Sequence, residues 1–173
     1  MLFRSIELLK TQFRQLRLPT MGAEFERLAR DAAASNQTFV QFLLRLTELE
    51  LATRAANAVA TRIKQAGFPV LKDFDTYDFS ALPGLSKPKI LDLARCEWIE
   101  QKFNCCLIGG QGTGKTHLAI ALGQAACRAG LRVHFVTAAE LVSQLEKAQK
   151  QYTLDRFLDH LERTALLICD ELG

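Results

Sequence analysis

The chain has no long apolar run. Across its 173 residues nothing approaches the roughly 20 apolar positions of a membrane-spanning helix, so no membrane partner is expected. It opens Met1-Leu2-Phe3-Arg4-Ser5-Ile6-Glu7, without the charged-then-apolar layout of a secretion signal. The expected location is therefore cytoplasmic. Its five cysteines are scattered and form no C-x-x-C pair, which argues against metal or disulfide roles. Cys105, Cys106 and Cys169 are expected to pack in the core as small apolar residues. The three histidines, His117, His134 and His160, share no pattern and read as structural or surface residues. No helix-turn-helix or other named DNA-reading signature is present.

The net charge is only +3, but it is unevenly spread. Up to Lys64 there are ten Lys/Arg against six Asp/Glu, from Gly67 to Lys102 five against six, and from Phe103 onward seven of each. The positive excess lies in the N-terminal part. Such an excess suits a solvated helical surface and equally a DNA- or partner-binding face.

One stretch carries chemistry outright. Gly109-Gly110-Gln111-Gly112-Thr113-Gly114-Lys115-Thr116 reads G-x-x-x-x-G-K-[ST], a phosphate-binding loop. Glycines allow backbone N–H groups to turn inward around phosphate oxygens. Lys115 is the expected charge on the β- and γ-phosphates, and the Thr116 hydroxyl the expected Mg²⁺ ligand. The loop runs into an expected helix whose N-terminus favours anions, so His117 is counted with Gly109–Thr116 as the nucleotide-binding stretch. Phe103–Ile108 has the length of a buried strand. Leu118, Ala121, Leu122 and Ala125 follow at helical spacing, and Gly130 is the stop.

Further on, Arg132–Thr137 reads as a strand, and Thr137 and Glu140 are spaced as a capping box for the next helix. Leu154, Phe157, Leu158 and Leu161 mark another helix. Ala165–Glu171 is an apolar strand ending in two carboxylates. Alternating strands and helices imply a parallel α/β sheet. Asp170 is the expected partner of the Mg²⁺ shell near Thr116, and Glu171 the residue that orients the attacking water.

Upstream, Leu2, Ile6, Leu9, Phe13 and Leu16 recur at helical spacing until Pro19 interrupts them. Met21, Phe25, Leu28 and Ala32 continue, with Thr20 as N-cap. Ser35-Asn36 are read as the cap of a long helix from Phe39 to Ile63, ended by Gly67 and Pro69. Residues 1–66 thus read as a small all-helical domain, 67–87 as an irregular connecting segment, and 88–173 as the α/β part. The aromatics of Phe68–Phe79 either staple that segment to the core or form part of an adenine pocket. A helix capped by Ser86, with Pro88 in its first turn, carries Ile90, Leu93, Ala94 and Trp98.

Gly112–Ala119, Leu167–Gly173 and Leu16-Arg17-Leu18-Pro19-Thr20-Met21 together resemble the IstB family, the helper ATPases of insertion-sequence transposition. The Phe68–Phe79 segment, Trp98-Ile99-Glu100 and Phe103-Asn104-Cys105-Cys106 fit as well. The family is similar to the DnaC helicase loaders within the AAA+ superfamily.

The resemblance implies a P-loop NTPase fold of AAA+ type. It implies ATP and Mg²⁺ as cofactors, double-stranded DNA and a transposase as partners, and homo-oligomers. It also implies two further strands, a sensor residue and an arginine finger beyond Gly173. The sheet is therefore expected to be incomplete at its C-terminus, with Phe103–Ile108 unpaired and the loop poorly supported. A DnaC-type loader and a non-hydrolysing remnant that keeps only DNA or partner binding are the alternatives. A small-molecule kinase suits the Asp-Glu strand end less well.

Overall fold

A computed structural model describes residues 2–79 and 84–172, with the side chains of Leu2 and Phe3 outside that description. The Leu2 side chain of the first apolar stripe, residues 80–83 of the connecting segment and the closing Gly173 therefore lie outside the description. The chain forms two compact units, Met1–Ala58 and Val59–Gly173.

The first unit contains α1 (Leu2–Gln15), α2 (Pro19–Ala34) and the start of α3 (Phe39–Ala66). Met21, Phe25, Leu28 and Leu46 form its core, with Ile6, Phe13, Leu18, Phe42 and Leu49 packed against them. Pro19 opens α2, because its fixed φ and missing N–H suit a first helical position. Thr20 is therefore inside the helix, and the cap position falls to Leu18, which makes no side-chain cap bond. The missing acceptor comes from α3. The Met21 N–H donates to Glu50 Oε2 at 2.9 Å, and Glu50 is only 3% exposed. Arg54 donates to the other carboxylate oxygen at 2.8 Å and also to the Arg17 carbonyl. Burial pushes the Glu50 carboxyl up. The bonds from Met21, Arg54 and Thr20 outweigh it and hold its pKa below the usual glutamate value.

The cap of α3 also differs from expectation. Thr38 Oγ1 accepts from the Gln41 N–H at 3.2 Å, while Gln41 Oε1 accepts from the Thr38 N–H at 2.9 Å, a reciprocal capping box. Ser35 instead closes α2. The length of α3 matches the expected stripe, yet Phe39 is 92% exposed.

The second unit carries α4 (Lys87–Leu93), α5 (Glu97–Glu100), α6 (Lys115–Arg128), β1 (Val133–Thr137), α7 (Ala138–Lys150), α8 (Leu154–Glu162) and β2 (Leu166–Asp170). The expected single helix through Trp98 is divided by Cys96, which adopts φ 65°. Trp98 Nε1 donates to the Leu93 carbonyl at 2.8 Å and so ties the two pieces together.

The sheet is small and parallel. β1 pairs with β2 in the register Val133↔Leu166 to Thr137↔Asp170. α6 packs against both strands. A side chain at Gly123 would bring its Cβ to 2.7 Å from Ile168 Cδ1 and 2.8 Å from the Phe68 ring, so glycine permits this close approach. The Thr137–Glu140 capping box of α7 is present as expected.

Phe103–Ile108 is not a strand among the described residues. The segment alternates from Asn104 onward: Cys105 and Leu107 are half-buried, while Asn104, Cys106 and Ile108 are exposed, as is Phe103 before them. A strand needs a neighbour to take its N–H and C=O groups, and among the described residues the sheet consists of β1 and β2. The core cysteines are accordingly Cys96 and Cys127, while Cys105 and Cys169 are half-buried and Cys106 is exposed.

Candidate functional site

The glycine-rich loop leads into α6. Gly112 and Gly114 adopt φ of 77° and 78°, where a Cβ is strained. Gly114 occupies the cap position of α6, and no side chain caps the helix there. The first-turn N–H groups of Lys115, Thr116 and His117 are therefore left for an external acceptor. The loop carries two internal ties. Thr113 Oγ1 donates to the Gly110 carbonyl at 2.8 Å, and Lys115 Nζ donates to the carbonyls of Gly109 and Gly110 at 2.9 and 2.8 Å. Gly109, Gly110, Gln111 and Gly112 are exposed, while Thr113, Gly114 and Lys115 are half-buried.

The two separate pieces of expected chemistry meet. Thr116 Oγ1 donates to Asp170 Oδ2 at 2.7 Å. A hydroxyl and a carboxylate oxygen side by side are hard oxygen donors of the kind Mg²⁺ takes when phosphates supply the rest of its shell. Among the described residues no group of three or more His, Cys, Asp or Glu forms a cage for a metal ion. Glu171 follows Asp170, is exposed, and adopts φ 57°. Among the described residues no ion pair fixes its carboxylate in advance.

The connecting segment is fastened beside the loop. His117 Nε2 lies 2.9 Å from the Asp73 carbonyl; a carbonyl only accepts, so Nε2 carries the proton. Gln124 Nε2 donates to the Lys72 carbonyl at 2.8 Å. Asp73 accepts from the Thr76 N–H and hydroxyl at 3.0 and 2.8 Å, and these bonds hold its carboxyl below the ordinary aspartate range. The Tyr77 ring stands edge-on to His117 at 5.0 Å and to Phe79 at 4.8 Å. It packs with Ile90, Leu118 and Leu122, with Phe74 and Phe79 alongside. A Cβ at Gly114 would lie 3.2 Å from this ring. The aromatics thus do staple the segment, and Tyr77 also walls the loop. No local signal assigned His117 this role, because its partner lies 44 residues away. His134 and His160 sit elsewhere in this unit, with ring centroids 6.2 Å apart.

A parallel sheet with an uncapped glycine loop at a helix start, closed by a strand-end carboxylate, defines an α/β protein built to hold phosphate. Residues 11–173 match the family model of the IstB-like ATP binding proteins, and the chain belongs to that family. It is 36% identical over 159 residues to a Geobacillus stearothermophilus protein named as an ATP-binding protein of insertion sequence IS5376, covering 92% of this chain and 63% of that one. It is 35% identical over 159 residues to the corresponding IS21 protein of Pseudomonas aeruginosa, covering 92% and 60%. It is 31% identical over 169 residues to the IS232 protein of Bacillus thuringiensis, covering 98% and 68%. The chain therefore spans about two thirds or less of the length of these relatives. Among the described residues no helix is long and apolar enough to cross a membrane.

Proposed function

We propose that this chain binds ATP with Mg²⁺ and acts as an ATPase helper of insertion-sequence transposition. The observation that carries the reading is the 2.7 Å bond between Thr116 and Asp170, residues 54 apart in sequence. Lys115 exchanges its two carbonyl partners for β- and γ-phosphate oxygens, where its hydrogen bonds are charge-assisted on both sides. The N–H groups of Lys115, Thr116 and His117 donate to the same phosphates, with Gly109–Thr113 forming the cradle. Thr116 and Asp170 would hold the metal, whose positive charge would offset charge developing on the phosphates. Glu171 orients the attacking water and accepts its proton. Tyr77, with Phe74 and Phe79, forms the wall toward the base.

In this reading residues 1–66 are the DNA- or partner-binding module, 67–87 the connector and 88–173 the nucleotide-binding part. Double-stranded DNA and a transposase are the partners, and the working form is a homo-oligomer of AAA+ type in the cytoplasm. The basic excess up to Lys64 supports the DNA contact, and the names of the relatives support the insertion-sequence setting.

A second reading is binding without turnover. The exposed Glu171 carboxylate, at a residue of φ 57°, favours it. One assay tests both. Mg-ATP binding and phosphate release are measured for the chain and for Lys115→Ala, with and without duplex DNA. The expected result is binding that Lys115→Ala removes and release that DNA raises. Binding without release selects the second reading, and equal ATP binding by the two proteins overturns both.

A further inference from the structure

The start of the sheet, at the opposite end of β1 and β2 from Thr137 and Asp170, holds a cavity of about 470 Å³ lined by Arg62, Arg132, His134, His160, Arg163 and Thr164, among others. The five-residue strands separate it from the glycine loop's end by roughly 13 Å, at about 3.3 Å per residue. Three structural elements supply its charge. Arg62 comes from α3, Arg132 precedes β1, and His160 and Arg163 come from the end of α8. Backbone bonds hold the Arg132 and Arg163 segments together, because the N–H groups of Ala165 and Leu166 both donate to the Arg132 carbonyl, at 2.9 and 3.1 Å. Thr164 Oγ1 donates to the His160 carbonyl at 3.2 Å.

The charge in this cavity is not balanced by the chain. Among the described arginines only Arg27, Arg54 and Arg95 pair with a carboxylate, and what sets the cavity apart is that three unpaired arginines share one concavity. Among the described residues Arg62, Arg132 and Arg163 are in no ion pair, and no Asp or Glu lines the cavity. His134 Nε2 is buried without a hydrogen-bond partner. Basic residues at the end of α8 would complement its dipole, but that accounts for about half a charge and explains neither Arg62 nor Arg132. Guanidinium groups gathered around one concavity match the oxygens of a phosphate group.

We propose that this cavity is a second phosphate-binding site, distinct from the glycine-rich loop, which takes a free phosphoanion or a phosphodiester of a nucleic-acid backbone. The inference does not depend on the nucleotide reading of the loop.

The three histidines provide the test, because His134 and His160 border the cavity and His117 lies beside the loop. Imidazole proton NMR is recorded on the whole chain carrying Lys115→Ala while inorganic phosphate is added. Saturable movement of the His134 and His160 signals with His117 still is expected. Arg132→Gln combined with Arg163→Gln should weaken that response at least tenfold, and an unmoved His117 signal certifies that the variant is folded. A short DNA duplex is the second arm. If it moves the same two signals and competes with phosphate, the source is backbone phosphodiester. If it leaves them in place, the source is a free phosphoanion. No saturable movement by roughly 10 mM phosphate, or movement that survives the double substitution, overturns the proposal.

Discussion

Several helices start without a side-chain cap from their own flanking residue, and two of them, α2 and α6, have different fates. α2 begins at Pro19 with Leu18 in the cap position. The carboxylate of Glu50, 29 residues beyond Met21, fills the gap. α6 begins after Gly114, and among the described residues no side chain fills its cap. Both helix ends expose N–H donors and partial positive charge. At α2 a buried internal anion satisfies them, so that end is structural. At α6 the flanking residues are glycines and a lysine, which supply no anion and leave room for one. A helix start satisfied by its own chain is architecture; one left open by glycine is an invitation to a ligand.

Substitutions at the two ends should separate these roles. Lys115→Ala is expected to have the largest effect, lowering ATP affinity by about a hundredfold, or about 3 kcal/mol, while the urea midpoint stays in place. Isothermal titration and denaturation on the same sample would check this. Glu50→Ala should do the reverse. It strands the Met21 N–H and costs about 2 kcal/mol of stability, with ATP affinity unchanged. Equal effects on both readouts for either variant would break the comparison.

Gly114→Ala should move both readouts at once. It places a Cβ at φ 78° and 3.2 Å from Tyr77, for about 1–2 kcal/mol of strain, and it distorts the loop. A variant with wild-type affinity would show that Tyr77 yields freely. The smallest effect is in pH. Because the folded pKa of Glu50 is lowered, its contribution is fully present above the ordinary glutamate range and is lost as pH falls through the folded value. Acid unfolding of Glu50→Gln should therefore be shallower than that of the wild type.

The phosphate loop, the β1 and β2 segments and the Thr137–Glu140 box were legible because each rests on neighbours in sequence. The helix starts were less so. Thr38 and Gln41 carry the capping-box spacing, but Ser35-Asn36 just before them suit a cap equally well. Glu50 left one trace, an acid four residues after the buried Leu46, on the same face of α3. Its partner could not be read, since the contact joins two helices. Phe103–Ile108 has the composition of a strand, but a strand is a property of a pair. No run of apolar residues states whether the neighbour is there. The break at Cys96 was illegible for a related reason: Cys96 is a buried core residue, and its positive φ left no glycine or asparagine as a sign.

The Thr116–Asp170 bond also has a kinetic meaning. Its partners are 54 residues apart, and the strand that brings Asp170 into place is joined to β1 only across α7 and α8. Local helices form early, while such distant parallel pairings close late. During refolding the helical signal should recover before the chain gains any response to Mg-ATP. The delay between the two would time the docking of β2, making nucleotide a clock for the final step of assembly.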